Sequence, residues 1–370
     1  MKKCIAAFAG AVFCCIAHAA SFAPAAAENG MVVTAQHHAT RIGVDVLKKG
    51  GNAVDAAVAV GYALAVVYPA AGNLGGGGFM TLHLADGRKT FIDFREKAPL
   101  AATRDMYLDK PAGASTRGHL AVGVPGTVAG LAYALAKYGT MTRGELIAPA
   151  IALAEKGFTL EQGDVDMLDR AADALRADPP SARIFLRGPY TFRAGERLVQ
   201  KDLANTLRHV ARRGADGFYQ GPVAQAIVAS SQAGGGIITR EDLAQYRPRE
   251  LAPIECEYRG YRVVSAPPPS SGGVAVCQML HVLEGYPLRE WGFRSAQAVH
   301  HQVEAMRHAY VDRNSYLGDP DFVKNPVERL LDRGYAARIR AVIDPAKAGD
   351  SKQLGPGVAP HEGTNTTHYS

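Results

Sequence analysis

The chain has 370 residues, of which 47% are hydrophobic and 21% charged, and a formal net charge of +6. This composition excludes an intrinsically disordered chain, and 40 glycines without a three-residue period exclude a collagen. The basic residues are scattered, and small groups at residues 208–213 and 333–340 fit solvated helix faces. We therefore expect no nucleic-acid partner.

The first 27 residues have the pattern of a secretory signal peptide. Lys2 and Lys3 precede the apolar residues 4–17, and small residues suited to cleavage occur at 17–19 and again at 25–27. A lipoprotein signal at the cysteine pair 14–15 is the lesser alternative. No later apolar run reaches the roughly 18 residues of a membrane helix. We therefore predict an exported protein, periplasmic or secreted, without a membrane span.

Two helices are predicted next along the chain. Residues 37–49 form the first, and a glycine pair closes it. Asn52 can cap the second helix, which starts at Ala53, is apolar almost all round and ends before Pro69. Such a helix belongs in a protein core.

A glycine loop and a hairpin follow. The four glycines at 75–78 precede two apolar runs, 79–84 and 90–94, which flank an Asp-Gly turn at 86–87. The glycine loop lacks the Gly-Lys-Ser/Thr of a phosphate loop and precedes a strand, unlike a dinucleotide fingerprint. Two interpretations remain, namely anion binding by backbone N–H groups and the close crossing of two backbones, which we favour.

Helices dominate the rest of the chain. They are predicted at 145–156, 202–213, 222–231, 270–281 and 296–310. Thr239 and Asp242 have the spacing of a capping box, and residues 255–264, rich in Tyr and Val, predict one strand that the following prolines end. The segment 345–364 is rich in Gly, Pro and Ala and predicts an extended tail.

Three sets of residues have chemical potential but also a structural explanation. Arg95, at the end of a predicted strand, can bind a carboxylate through two parallel hydrogen bonds, or it forms an ordinary surface pair with Glu96. His300, Glu304 and His308 share one helix face at metal-ligand spacing, but no further ligands accompany them. We predict no metal and no cofactor.

The two cysteines that remain after the signal segment, Cys256 and Cys277, either pair in an exported protein or stay as buried thiols. Near the C-terminus, Thr366 follows Asn365 in a stretch rich in hydroxyl groups. A threonine becomes a nucleophile when its own α-amine, freed by cleavage before it, serves as the base. A disordered Ser/Thr-rich tail is the alternative.

Taken together, seven motifs resemble the γ-glutamyltranspeptidase family. They are GGNAVDAA at 50–57, NLGGGGF at 73–79, DFREKAP at 93–99, VPGT at 124–127, PPSSGG at 268–273, YLGDPDFV at 316–323 and TTHYS at 366–370. Each motif is weak alone, but the ordered set is specific and covers nearly all of the chain after the signal segment.

The resemblance implies an α+β fold, the αββα sandwich of N-terminal-nucleophile hydrolases. It also implies a precursor that cuts itself between Asn365 and Thr366 into a large and a small subunit, with Thr366 as nucleophile. Arg95 matches the arginine that holds the α-carboxylate of a γ-glutamyl group. The implied substrates are glutathione and other γ-glutamyl amides, with water, amino acids or peptides as acceptors.

On this interpretation residues 1–27 are the signal peptide, 28–365 the large-subunit region and 366–370 the start of a truncated small subunit. The sandwich is then expected to be incomplete at its C-terminal end, with the small subunit of the same precursor as a partner. Two alternatives stay open: a truncated, inactive remnant, and a related acylase that acts on cephalosporin or glutaryl side chains.

Overall fold

A computed structural model describes residues 24–354 of the chain. These residues fall into two units, of which the first, 24–31, contains no helix or strand. The second unit, from Val32 onward, contains all the helices and strands of the described residues. The predicted signal region up to residue 23, both residues of the predicted cleavage site, Asn365 and Thr366, and the last ten residues of the predicted tail, 355–364, lie outside the described residues.

Helices form most of the second unit. They are α1 His37–Lys48, α2 Ala53–Val67, α3 Thr127–Tyr138, α4 Arg143–Lys156, α5 Gln162–Arg176, α6 Pro179–Phe185, α7 Lys201–Arg213, α8 Asp216–Tyr219, α9 Gly221–Ala233, α10 Arg240–Gln245, α11 Gly272–Leu283, α12 Leu288–Trp291, α13 Ala296–Tyr316, α14 Val327–Leu330 and α15 Arg333–Val342. Every predicted helix is present, and the longest, α13, continues six residues beyond its predicted end at Tyr310. None of the helices in the described range is both long and apolar enough to span a membrane.

The strands are short and few. They are β1 Phe79–His83, β2 Lys89–Asp93, β3 Phe158–Thr159, β4 Arg197–Leu198, β5 Arg249–Leu251, β6 Ile254–Tyr258 and β7 Tyr261–Ser265. In residues 24–354, β1, β2 and β5 form one antiparallel three-stranded sheet with β2 in the centre, and the other strands form two antiparallel pairs. The predicted hairpin is therefore confirmed as β1–β2.

Helix α2 is the centre of the core. The side chain of Asn52 caps it as predicted, and Asp55 completes a capping box. Asp55 is fully buried and also accepts hydrogen bonds from the backbone N–H groups of Thr140 (2.9 Å) and Met141 (3.0 Å). Burial opposes the charge on Asp55, but these hydrogen bonds outweigh it and lower the pKa of the carboxyl. The cap of α2 thus also anchors the segment between α3 and α4.

The prediction of a single strand over residues 255–264 is wrong. The segment is the hairpin β6–β7, with a two-residue turn at Arg259 and Gly260. Both turn residues have positive φ, 49° and 83°, as the tight turns favoured between twisted strands require. Gly260 is usual in such a turn, but arginine before it is not, so the segment lacks the Asn-Gly or Asp-Gly signal of a hairpin.

A disulfide joins this hairpin to helix α11. The bond links Cys256 in β6 to Cys277 in α11, and both residues are buried. The sequence left open a disulfide and two buried thiols, and the structure contains the disulfide.

Candidate substrate-binding site

Two glycine crossings fix the chain where it leaves strand β2. Gly78 and Phe94 exchange both backbone hydrogen bonds, at 3.2 and 2.9 Å. A Cβ atom on Gly77 would lie 2.5 Å from the carbonyl oxygen of Phe94, so no other residue fits without a shift. The favoured interpretation of the glycine loop, a close crossing of two backbones, is confirmed.

The second crossing comes from the start of helix α3. A Cβ atom on Gly126 would lie 2.0 Å from the Phe94 carbonyl oxygen, and one on Gly130 would lie 2.1 Å from the Phe94 ring. The carbonyl of Gly76 accepts hydrogen bonds from the N–H of Gly126 (2.6 Å) and of Thr127 (3.0 Å). Phe94 is therefore held between the glycine loop and α3, which fixes the position of the next residue, Arg95.

The backbone of Arg95 is held on both sides. Its N–H donates to Oδ1 of Asp93 (3.0 Å), and its carbonyl accepts from the hydroxyl of Tyr246 (2.7 Å). The guanidinium is exposed and lies over the ring of Phe79, 5.6 Å from its centre. Among residues 24–354 it has no hydrogen bond or ion pair, and the alternative surface pair with Glu96 is not present.

The carboxylate of Asp93 is itself buried and paired. Its Oδ2 accepts from the guanidinium of Arg249 at 3.0 Å, and Arg249 also binds Oδ1 of Asp321 at 2.7 Å. Burial raises the pKa of Tyr246, so its hydroxyl stays protonated and can donate to the Arg95 carbonyl. Sequence reasoning missed Tyr246 and Arg249, because the contacts join residues about 150 positions apart and no local pattern marks them.

This arrangement is suited to binding an anion. The guanidinium of Arg95 carries five N–H donors in a planar fork, which matches the geometry of a carboxylate. Its main chain is held, and no protein acceptor in the described chain uses these donors. The aromatic ring below it supports the flat guanidinium without using its donors. The site therefore offers a fixed cation to a ligand that carries a carboxylate.

His300, Glu304 and His308, which form a polar stripe on one face of α13, have a different role. The Nε2–H of His300 donates to the carbonyl of Asp344 (2.7 Å), and the buried Glu304 accepts from the N–H of Gly349 (3.1 Å) and pairs with Arg307 (3.1 Å). Burial lowers the pKa of His308. No group of three or more His, Cys, Asp or Glu side chains within the described range is arranged to hold a metal ion. The stripe fastens the chain's own segment 344–351.

A profile of the family described as Gamma-glutamyltranspeptidase matches residues 39–370. This chain belongs to that family. It is 69% identical over 358 residues to a glutathione hydrolase proenzyme of Pseudomonas sp. (strain A14), and 48% identical over 355 residues to the one of Escherichia coli (strain K12). These alignments cover 95% and 94% of this chain but only 62% and 61% of the relatives, so the chain spans about three fifths of their length.

The fold agrees with this membership. The crystal structure of Helicobacter pylori gamma-glutamyltranspeptidase superimposes with a TM-score of 0.88 at 46% identity, covering 93% of this chain and 100% of that chain. The predicted N-terminal-nucleophile hydrolase fold is thus confirmed. Acylases belong to the same neighbourhood: the acylase ACY 1 proenzyme of Pseudomonas sp. (strain SE83) is 41% identical, over 94% of this chain and 63% of the relative.

Proposed function

We propose that the protein acts, as part of a self-processing precursor, as a γ-glutamyl hydrolase and transpeptidase. Its substrates are glutathione and other γ-glutamyl amides, and its acceptors are water, amino acids and peptides. The observation that carries this proposal is Arg95, whose backbone is fixed and whose guanidinium is left open to a carboxylate. The 69% identity to a glutathione hydrolase proenzyme supports it.

The proposed chemistry begins with cleavage of the Asn365–Thr366 bond, which frees the α-amine of Thr366. That amine, with an ordinary pKa of about 7.7–8.0, takes the proton of the Thr366 hydroxyl. The hydroxyl oxygen attacks the γ-carbonyl carbon, a γ-glutamyl ester forms, and the proton passes to the departing amine. Water or an acceptor amine then resolves the ester and returns the threonine hydroxyl.

Arg95 contributes binding in this scheme. Its guanidinium pairs with the α-carboxylate of the γ-glutamyl group and so places the γ-carbonyl at a fixed distance from the charge. Donors for the oxyanion and the rest of the substrate contacts are proposed to come from the small subunit of the same precursor. An exported location, periplasmic or secreted, is proposed from the N-terminal pattern.

The test is hydrolysis of a chromogenic γ-glutamyl anilide by the precursor that contains this chain. We expect the wild-type precursor to yield two bands on a denaturing gel and to release the chromophore. Thr366→Ala is expected to give one band and no turnover, with Thr367→Ala as the matched control that keeps both. Turnover by Thr366→Ala would overturn the role of Thr366. An inactive wild-type precursor would favour the remnant alternative.

The acylase is the second candidate, and the 41% identity to the acylase ACY 1 proenzyme favours keeping it. A glutaryl group has the same terminal carboxylate as a γ-glutamyl group and lacks only its α-amino group, so the Arg95 fork suits either acyl group. Turnover of a glutaryl anilide and of a γ-glutamyl anilide by the wild-type protein separates the two candidates. A higher kcat/KM for the γ-glutamyl anilide supports the γ-glutamyl activity, and a higher kcat/KM for the glutaryl anilide supports the acylase.

A further inference from the structure

The guanidinium of Arg95 is exposed, yet its backbone is fixed by side chains from a distant part of the chain. Tyr246 lies just after helix α10, and Arg249 begins strand β5, beside β2. One reaches the carbonyl of Arg95 directly, and the other reaches its N–H through Asp93. Both backbone polar groups of this exposed residue are therefore satisfied by buried side chains, which fixes its main chain.

The hydroxyl of Tyr246 occupies a space made for it. Tyr246 is only 5% exposed, and its ring stacks on that of Tyr219, with the planes 6° apart. A Cβ atom at Gly126 would lie 2.1 Å from the Tyr246 oxygen, so the glycine there leaves room for this hydroxyl. The absence of a side chain at Gly126 therefore leaves room for both the Phe94 carbonyl and the Tyr246 hydroxyl.

Arg249 connects Asp93, at the end of strand β2, to a second loop. It bridges the buried Asp93 and the exposed Asp321, which lies in the segment after helix α13. In the order of their contacts, the connected set is Asp321, Arg249, Asp93 and Arg95. Each link is a charged hydrogen bond, of the kind that is short and directional.

We propose that Tyr246 and Arg249 are positioning residues for Arg95 and set the selectivity of the site for substrates that carry an α-carboxylate. This inference rests on the proposed γ-glutamyl activity. Neither residue touches substrate. They fix the main chain of Arg95, so that binding of the carboxylate has to order only the Arg95 side chain. This lowers the entropic cost of substrate binding and is not a step in the chemistry.

Tyr246→Phe in the self-processed protein tests this, because it removes one oxygen and keeps the ring. Two substrates are compared: a γ-glutamyl anilide, and the 4-aminobutyryl anilide, which is the same molecule without the α-carboxylate. We expect KM for the γ-glutamyl anilide to rise about tenfold, the effect of losing one hydrogen bond of about 1.4 kcal/mol. We expect kcat to stay within about twofold, and kcat/KM for the 4-aminobutyryl anilide to stay unchanged.

Tyr138→Phe is the matched control. Its hydroxyl also reaches strand β5, but it donates to Glu250 instead of to Arg95. We expect it to change the melting temperature as much as Tyr246→Phe does and to leave KM unchanged. A purely structural role for Tyr246 would lower kcat/KM for both substrates together, and that result would overturn the proposal.

A double variant shows whether Tyr246 acts through Arg95. In an Arg95→Ala background, Tyr246→Phe is expected to add no further rise in KM, because the residue that it positions is gone. A full additional tenfold rise would overturn the inference. Asp321→Asn, at an exposed position, is expected to raise KM by about two- to threefold; an unchanged KM would remove Asp321 from the connected set.

The outcomes also separate this inference from the proposed function. No turnover of the γ-glutamyl anilide by the processed wild-type protein overturns both. Turnover by wild type with an unchanged KM in Tyr246→Phe overturns the positioning role alone.

Discussion

The end of strand β2 and the polar stripe of helix α13 look equally suggestive in the sequence, but the structure uses them in opposite ways. At the strand end, the protein binds the backbone of Arg95 and leaves the guanidinium without a hydrogen-bond or ion-pair partner in the described chain. On α13, the polar atoms of His300 and Glu304 are taken up by the segment 344–351.

The difference lies in which atoms the protein satisfies. Folding stability favours pairing every buried polar group, and Glu304, only 4% exposed, follows that rule. An arginine whose main chain is fixed from two sides, while its charged end stays open, gains nothing for folding from that charge. On the proposed function, the carboxylate of the substrate uses this open charge, whereas a satisfied stripe needs no ligand.

The largest effect should follow removal of the open charge. Arg95→Ala is expected to lower kcat/KM for a γ-glutamyl anilide by about 100-fold or more, since a charged hydrogen-bonded pair is worth about 3 kcal/mol. The melting temperature should change little, because within residues 24–354 the guanidinium makes no hydrogen bond or ion pair and only contacts the Phe79 ring. Arg104→Ala, another exposed arginine, is the control. A large fall in stability with intact turnover would make Arg95 structural and remove the contrast.

Glu304→Ala should show the reverse. It leaves the N–H of Gly349 and the guanidinium of Arg307 without their carboxylate, and we expect a loss of about 3 kcal/mol in the free energy of unfolding. Denaturant unfolding of the uncleaved Thr366→Ala precursor measures it, with the exposed neighbour Gln302→Ala as control. In the self-processed protein, where Thr366 is intact, Glu304→Ala should leave kcat unchanged. Lost kcat at unchanged stability would mean that this stripe, too, is functional.

Strand β5 repeats the contrast in two adjacent residues. Arg249 faces the Arg95 network, whereas Glu250 accepts from Lys137 and from three hydroxyl groups, those of Tyr133, Tyr138 and Thr90. Burial opposes the charge on Glu250, but these bonds outweigh it and lower its pKa from 4.5 to about 2. Glu250 therefore resembles Glu304, because the hydrogen-bonding capacity of both carboxylates is satisfied by donors of the protein itself.

Glu250→Gln should cost about 2 kcal/mol of folding free energy at pH 7. Because the folded pKa is depressed, the stabilisation is present above pH 4.5 and is lost as the pH falls towards 2. The difference between wild type and variant should therefore shrink across that range. Unfolding curves at several pH values measure it, and a difference that grows towards acid would contradict the assignment.

Local signals in the sequence were enough for most of the elements. Asn52 and the Thr239–Asp242 pair cap helices as predicted, because capping needs only neighbours within four residues. The turn at Arg259 was missed because its left-handed φ is stabilised by strand pairing and not by the residue type.

The candidate site was predictable only in part. Arg95 could be found, since a strand end and a family motif coincide there. Its supports could not, because Tyr246 and Arg249 reach it across about 150 residues, and Asp55 likewise reaches Thr140 across 85. Which of two polar patches is satisfied internally depends on such long-range contacts. Thr366 and Asn365, outside the described residues, stay predictions from the motif.

The smallest expected effect is that of His300→Ala. Its hydrogen bond to the Asp344 carbonyl is exposed to solvent, so we expect a loss of about 0.5–1 kcal/mol and no change in turnover. Addition of a chelator to wild type should leave the melting temperature where it is. If a chelator lowered it, and His300→Ala abolished that response, the stripe would bind a metal after all. The distinction between an open and a satisfied polar group would then fail at the position where it is easiest to test.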